Sequence, residues 1–224
     1  MIPRPTTVRP FYIVATADEV EPGAEPPVPS PELLAAFGST PDEIASLAER
    51  PFHTAIMAEA PIEEAATAER ECRRAAFAFA VEYDGIVVDA AVPRILGMQR
   101  EFPRLTAATN WFVFERDGDA VSTVGLHRFG LPELSCLDAA GPMFDAVLTG
   151  LAQRLLRDWP ATDPVGPLTV TLRDIAYGYG DKSAGGEDPA FARSLDLTIA
   201  YDEIATVLDV TLYDDPAQTL FTDR

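Results

Sequence analysis

Apolar and polar positions along this chain recur with two periods, near two and near 3.6 residues, and the change from one to the other marks out its elements. Phe11 to Thr16 opens with Phe-Tyr-Ile-Val-Ala, a short β-favouring run that predicts a first strand. A second strand is expected at about 52–59, followed by a long helix from Glu63 to Glu82. In that helix Cys72, Ala76, Phe79 and Tyr83 fall at helical spacing and predict one buried stripe. Asp84-Gly85 reads as a tight turn into a buried strand, Ile86-Val87-Val88. The stretch from Arg94 to Ala108 mixes both patterns and is assigned to no element.

Asp117-Gly118, between the β-favouring runs 110–116 and 119–123, predicts a hairpin. Gly141-Pro142 opens a helix to about Trp159 whose apolar face carries Phe144, Val147, Leu148, Leu151, Leu155 and Leu156. Arg154 and Arg157 suit its C-terminal dipole, and Pro160 ends it. Leu168 to Ile175 alternates apolar and polar positions, which predicts a half-buried strand. Further strands are expected at 195–201 and 206–213, after a glycine-rich polar loop from Gly178 to Pro189.

Local punctuation adds two short helices near the N-terminus. Ser30-Pro31-Glu32 places a capping hydroxyl before a first-turn proline, and Thr40-Pro41-Asp42-Glu43 adds a glutamate at the capping-box position. Helices at about 31–37 and 41–50 follow, broken apart at Gly38. Five prolines between Pro22 and Pro31 fix their own φ and turn their predecessors away from helix, so about 20–31 reads as an extended connector. The order of elements argues for an α+β fold: a mostly antiparallel mixed sheet packed on three to four helices, in a single compact domain over 1–224.

Composition narrows the classes of function. Hydrophobic content of 47% with 24% charged residues is that of a globular protein. Seventeen Lys plus Arg stand against 36 Asp plus Glu, a net charge of −19. Such a field repels nucleic acid and anionic lipid, so neither is expected as a partner; it keeps a protein soluble and would receive a basic protein. Met1 to Pro10 lacks the apolar core of a signal peptide, no window is apolar enough to span a bilayer, and Cys72 and Cys136 are too few for a disulfide framework. A cytoplasmic location is expected.

The groups that exchange protons or attack near neutral pH are scarce. His53 and His127 are the only histidines and fall in no zinc-protease spacing; with two isolated cysteines they make a poor pool of zinc ligands. Cys136 lies nine residues beyond His127, but in an apolar-alternating stretch that predicts a buried, inert thiol. No phosphate-binding or nucleophile-elbow motif occurs, and Gly178-Tyr179-Gly180 lacks both the third glycine and the strand–helix setting of a dinucleotide site. Asp181 to Asp188 holds three carboxylates without the register of a calcium loop and reads as a solvated loop. No catalytic residue, metal ligand or cofactor is assigned, and an enzyme is not the leading expectation.

One segment has a different texture. From Thr123 the chain runs Thr-Val-Gly-Leu-His-Arg-Phe-Gly-Leu-Pro-Glu-Leu, with glycines at 125 and 130 that permit positive φ. Leu126, Phe129, Leu131 and Leu134 would pin this turn to a core, leaving His127, Arg128 and Glu133 as candidate binding residues. The same residues admit a structural corner held by salt bridges. A small-molecule site here would use Arg128 to clamp an anionic group and His127 to exchange a proton.

This signature, followed by the helix from Pro142 to Trp159, resembles the C-terminal part of a bacterial domain family of unknown function. The alanine-rich helix running into Asp84-Gly85-Ile86-Val87-Val88-Asp89 is similar to that family's preceding helix–strand unit, for coverage of about residues 52–160. The resemblance implies a bacterial, cytoplasmic α+β protein, of a kind in which immunity or stress-related roles are suspected. The leading expectation is a non-enzymatic binding protein, immunity-like, that neutralises a basic partner; the alternative is a small-molecule-binding domain or enzyme built on the His127/Arg128/Glu133 turn.

Overall fold

Tyr12-Ile13-Val14-Ala15 carries four apolar side chains in a row, and a strand that is apolar on both faces must be covered on both. The computed structural model, which describes residues 1–20, 26–97, 106–137, 139, 141–181, 183–186 and 188–221, shows how this is met. The chain is α+β with mostly antiparallel pairing, as its element order implied. Composition marks no boundary, yet the chain groups into two compact units, Thr6–Phe102 and Met1–Pro5 with Pro103–Arg224. The single domain expected over 1–224 thus consists of two units, each with its own sheet and its own apolar core.

In the unit Thr6–Phe102, strands β1 (Thr7–Val8) and β2 (Phe11–Thr16) are followed by helices α1 (Pro31–Ala36) and α2 (Pro41–Ala48). Next come β3 (Phe52–Met57), β4 (Ala60–Pro61), α3 (Ala65–Glu82), β5 (Ile86–Asp89) and β6 (Arg94–Leu96). An antiparallel sheet of order β3-β2-β5-β6 puts β2 in its interior. Tyr12, Val14 and Val87 pack under Cys72, Ala76 and Ala80 of α3. Ile13, Ala15 and Val88 face the other way, onto Leu34 of α1 and Leu47 of α2. Both expected caps form: Ser30 accepts from the Leu33 amide, and Thr40 and Glu43 make a reciprocal capping box. Of the proline-rich connector, residues 21–25 lie outside the described residues.

The stripe of α3 is turned relative to the one expected. Cys72 and Ala76 are buried, but Tyr83 is 40% exposed; the stripe runs through Phe77 and Ala80 instead and takes in Glu69 and Arg73. Pattern alone places charged residues outside. Here the Tyr12 hydroxyl donates to Glu69 at 2.9 Å, so the carboxylate is solvated by the protein.

In the unit containing Pro103–Arg224, β7 (Val113–Asp117), β8 (Ala120–Val124) and β9 (Glu133–Cys136) precede α4 (Pro142–Asp158). Then follow β10 (Gly166–Thr171), α5 (Leu172–Gly178), β11 (Ser194–Asp202), β12 (Val207–Leu212) and α6 (Pro216–Leu220). The sheet order is β10-β11-β12-β9-β8-β7, and β9 with β12 is the one parallel pair among the described strands. Val147, Leu148, Leu151 and Leu155 of α4 enter its core, as their spacing predicts.

Four features differ from expectation. The strand predicted from Leu168 to Ile175 stops at Thr171, whose hydroxyl caps a helix through a capping box with Asp174; a Thr-x-x-Asp cap outweighs a few positions of alternation. The hairpin loop is Gly118-Asp119, one residue later than expected, because Gly118 takes the positive-φ position at 58°. Strand β9 and helix α6 are too short for periodicity to announce. With α5 and α6 the described helices number six rather than three to four.

Candidate functional site

The turn that follows β8 is built around a carboxylate. Gly125, at φ 129°, reverses the chain into a single 3₁₀ turn over Leu126–Phe129, and Gly130, at φ 72°, lets it out again into β9. That reversal points successive backbone amides inward, an anion-binding concavity. Glu133 fills it. Its carboxylate accepts from the amides of Gly125 at 2.8 Å, Leu126 at 3.1 Å and His127 at 3.1 Å, and from the Thr123 hydroxyl at 2.8 Å. The His127 Nδ1 completes the set at 2.8 Å. Burial works against the charge on Glu133, but the bonds from the His127 ring, the Gly125 and His127 amides and Thr123 prevail and hold its carboxyl below the ordinary value.

The three candidate residues therefore have different fates. Glu133 and His127 are brought together, the carboxylate mostly covered and the imidazole more than half exposed. Arg128 is buried: its Nε donates to the Gly125 carbonyl at 3.2 Å and its guanidinium lies 5.6 Å from the centre of the Trp111 ring. Trp111 in turn meets Phe129 edge-on, and the Trp159 indole donates to the Phe129 carbonyl at 2.9 Å. Leu126, Phe129, Leu131 and Leu134 are all buried, so the turn is pinned as its sequence suggests. Chemically it presents one oriented imidazole, with its Nδ1 committed to a carboxylate.

The remaining candidates are dispersed. Cys136 is buried on β9, and Cys72 is buried on α3, where burial, reinforced by the charge of Glu69, pushes its thiol up to about 11. His53 is half-buried on β3 opposite Ala15. In the Asp181–Asp188 loop, Asp181 accepts from the Ser183 amide and Asp188 from the Ala190 amide, each closing its own turn. Among the described residues no group of three or more His, Cys, Asp or Glu side chains could hold a metal ion.

A second feature was not legible beforehand. A groove of about 710 Å³ opens beside the C-terminal ends of β9 and β12, within the size range of ligand sites. Ser135, Cys136 and Leu137 form one wall, Asp209 to Tyr213 the other, and Phe144, Asp214, Asp215 and Pro216 close its ends. Three of these side chains are carboxylates and none is basic. The only sequence signal for it is the Asp214-Asp215 pair directly after a strand, which is faint among 36 acids.

No protein-family model, no curated protein and no solved structure matches the chain.

Proposed function

We propose that this chain is a binding protein, without catalysis of its own, that receives a basic partner on an acidic concave surface, as an immunity protein does. The observation that carries this reading is the groove beside β9 and β12, whose charged lining residues among those described, Asp209, Asp214 and Asp215, are all of one sign. A net charge of −19 supplies the long-range field that would steer a cationic partner there. The occupation of Glu133 by its own turn and the burial of Arg128 support the same reading, since they leave the conspicuous turn with little to offer a ligand.

Its test is retention of partners from the host's lysate on the immobilised chain, at low and at high salt, with each retained protein then purified and its binding remeasured. A basic partner whose affinity falls steeply with salt is the expected result. Absence of any such partner at low ionic strength refutes the proposal.

The exposed imidazole of His127 favours a second reading. A ring whose Nδ1 is held by a mostly covered carboxylate is the arrangement of an oriented general base, and its Nε2 would act on a small molecule. Small-molecule binding that is lost in His127→Ala, with the fold unchanged, would replace the first reading by this one.

A further inference from the structure

Strand β12 has two neighbours for only half its length. It pairs with β11 from Val207 to Leu212, but with β9 only from Val207 to Asp209. Beyond Asp209, Val210 to Leu212 have a strand partner on one side alone among the described residues, and it is this unpartnered side that borders the groove. Among the described residues no strand pairs with the backbone groups there that do not face β11, as at the rim of a ladder.

The two outer edges of the same sheet are guarded. β7 carries Glu115, Arg116 and Asp117, and β10 has Pro167, charges and proline being the usual devices against added strands. The opening beside β12 carries charges as well, Asp209, Asp214 and Asp215, but all of one sign, so they repel a like edge and not a cationic strand. Its walls also expose two large apolar side chains, Leu137 at 72% and Tyr213 at 63%.

We infer that the open half of β12 is a strand-addition site, taking an extended segment of the partner that carries Arg or Lys at alternate positions. This rests on the proposed reading of the groove as the acceptor of a basic partner. An incoming strand would complete the ladder with its main chain, cover Leu137 and Tyr213 with some side chains, and set cationic ones against Asp209, Asp214 and Asp215. A second copy of this chain is disfavoured by the same charges, since a symmetric pairing of two such edges would bring like carboxylates together.

The probe is a short synthetic peptide alternating Val or Thr with Arg, compared with the same peptide N-methylated on alternate amides. N-methylation keeps every charge and removes the donors of one edge. Binding is followed by fluorescence anisotropy at low salt and by amide chemical shifts of Val210 to Tyr213. The expected result is binding of the unmodified peptide, shifts confined to that stretch and its surroundings, and a loss of roughly tenfold or more on N-methylation. Asp214→Lys, at an exposed position, should weaken binding about tenfold as well. Equal binding of both peptides, shifts elsewhere, or no peptide binding while a whole basic partner is still retained, each overturns strand addition and leaves the basic-partner reading standing. Failure of every basic probe and partner overturns both. A dimer seen in sedimentation, whose formation with rising concentration shifts the amides of Val210 to Tyr213, would assign the edge to a second copy and overturn the inference.

Discussion

The Tyr12 hydroxyl donates to the Glu69 carboxylate at 2.9 Å, with Tyr12 wholly buried and Glu69 2% exposed. This bond fixes which side of α3 meets the sheet, because a buried carboxylate needs its donors and a rotated helix would strand it. Tyr12→Phe keeps the ring and removes one donor from a buried charge, so it should cost about 1–3 kcal/mol. Urea unfolding of the variant checks this; a midpoint equal to the parent's would mean the hydroxyl is dispensable.

The same pair explains where the sequence could be read and where it could not. Strand β2 and helices α1, α2 and α4 announce themselves, because their signals are local: an apolar run, Ser30 and Thr40 before proline, Val147 and Leu151 at helical spacing. The orientation of α3 is set by Tyr12, 57 residues from Glu69 along the chain, and no window on α3 contains that information. The groove is hidden for the same reason. It exists because four-residue β9 lies parallel to β12, a pairing between segments some seventy residues apart that neither segment encodes alone. For the 123–134 turn the sequence indicated a corner pinned by its apolar residues, but named neither Glu133 as the partner of His127 nor the inward turn of Arg128, whose cationic plane lies against Trp111.

Glu133 should behave as the staple of its turn. Its carboxyl titrates below the ordinary 4.5 in the folded chain and near that value when unfolded. Between the two values the unfolded chain binds more protons, so the stabilisation is intact above the unfolded value and is lost as pH falls through the folded one. Glu133→Gln places an amide NH₂ among donors and should cost about 2–4 kcal/mol at neutral pH, given that charged hydrogen bonds contribute roughly 1.5–3 each. It should also flatten the acid limb of a plot of urea midpoint against pH. A variant as stable as the parent, with the same acid limb, would show that the amides of Gly125 to His127 do not depend on this carboxylate.

Neither cysteine should react in the native protein. Cys72 is buried with its thiol pushed up to about 11, so almost no thiolate is present at neutral pH, and Cys136 is buried on the inner side of β9. Timed labelling with a chromogenic disulfide at mildly alkaline pH should give two equivalents at once in denaturant and a slow release, tracking unfolding, without it. Fast labelling of one thiol in the native state would place that cysteine at the surface.

Helices α4 and α5 should tolerate no methyl group between them. A Cβ on Gly150 would lie 2.6 Å from the Ile175 side chain, 2.9 Å from that of Val170 and 3.0 Å from the Ile175 amide nitrogen. Two effects oppose each other in Gly150→Ala. Alanine favours the helix by up to about 1 kcal/mol over glycine, whereas forcing a methyl into a packed core costs about 1–3 kcal/mol. The side chains could rotate away singly, but both sit in one core and the amide nitrogen belongs to the backbone of α5, so the helix itself must shift. The clash should therefore prevail, and the variant should unfold at lower urea than the parent. An exposed control, Gly97→Ala, whose nearest neighbour among the described residues would be a flexible glutamate side chain at 3.8 Å, should change stability little. Equal or greater stability of Gly150→Ala would mean that α5 moves aside freely, and that the close approach of the two helices is not what holds this end of the core.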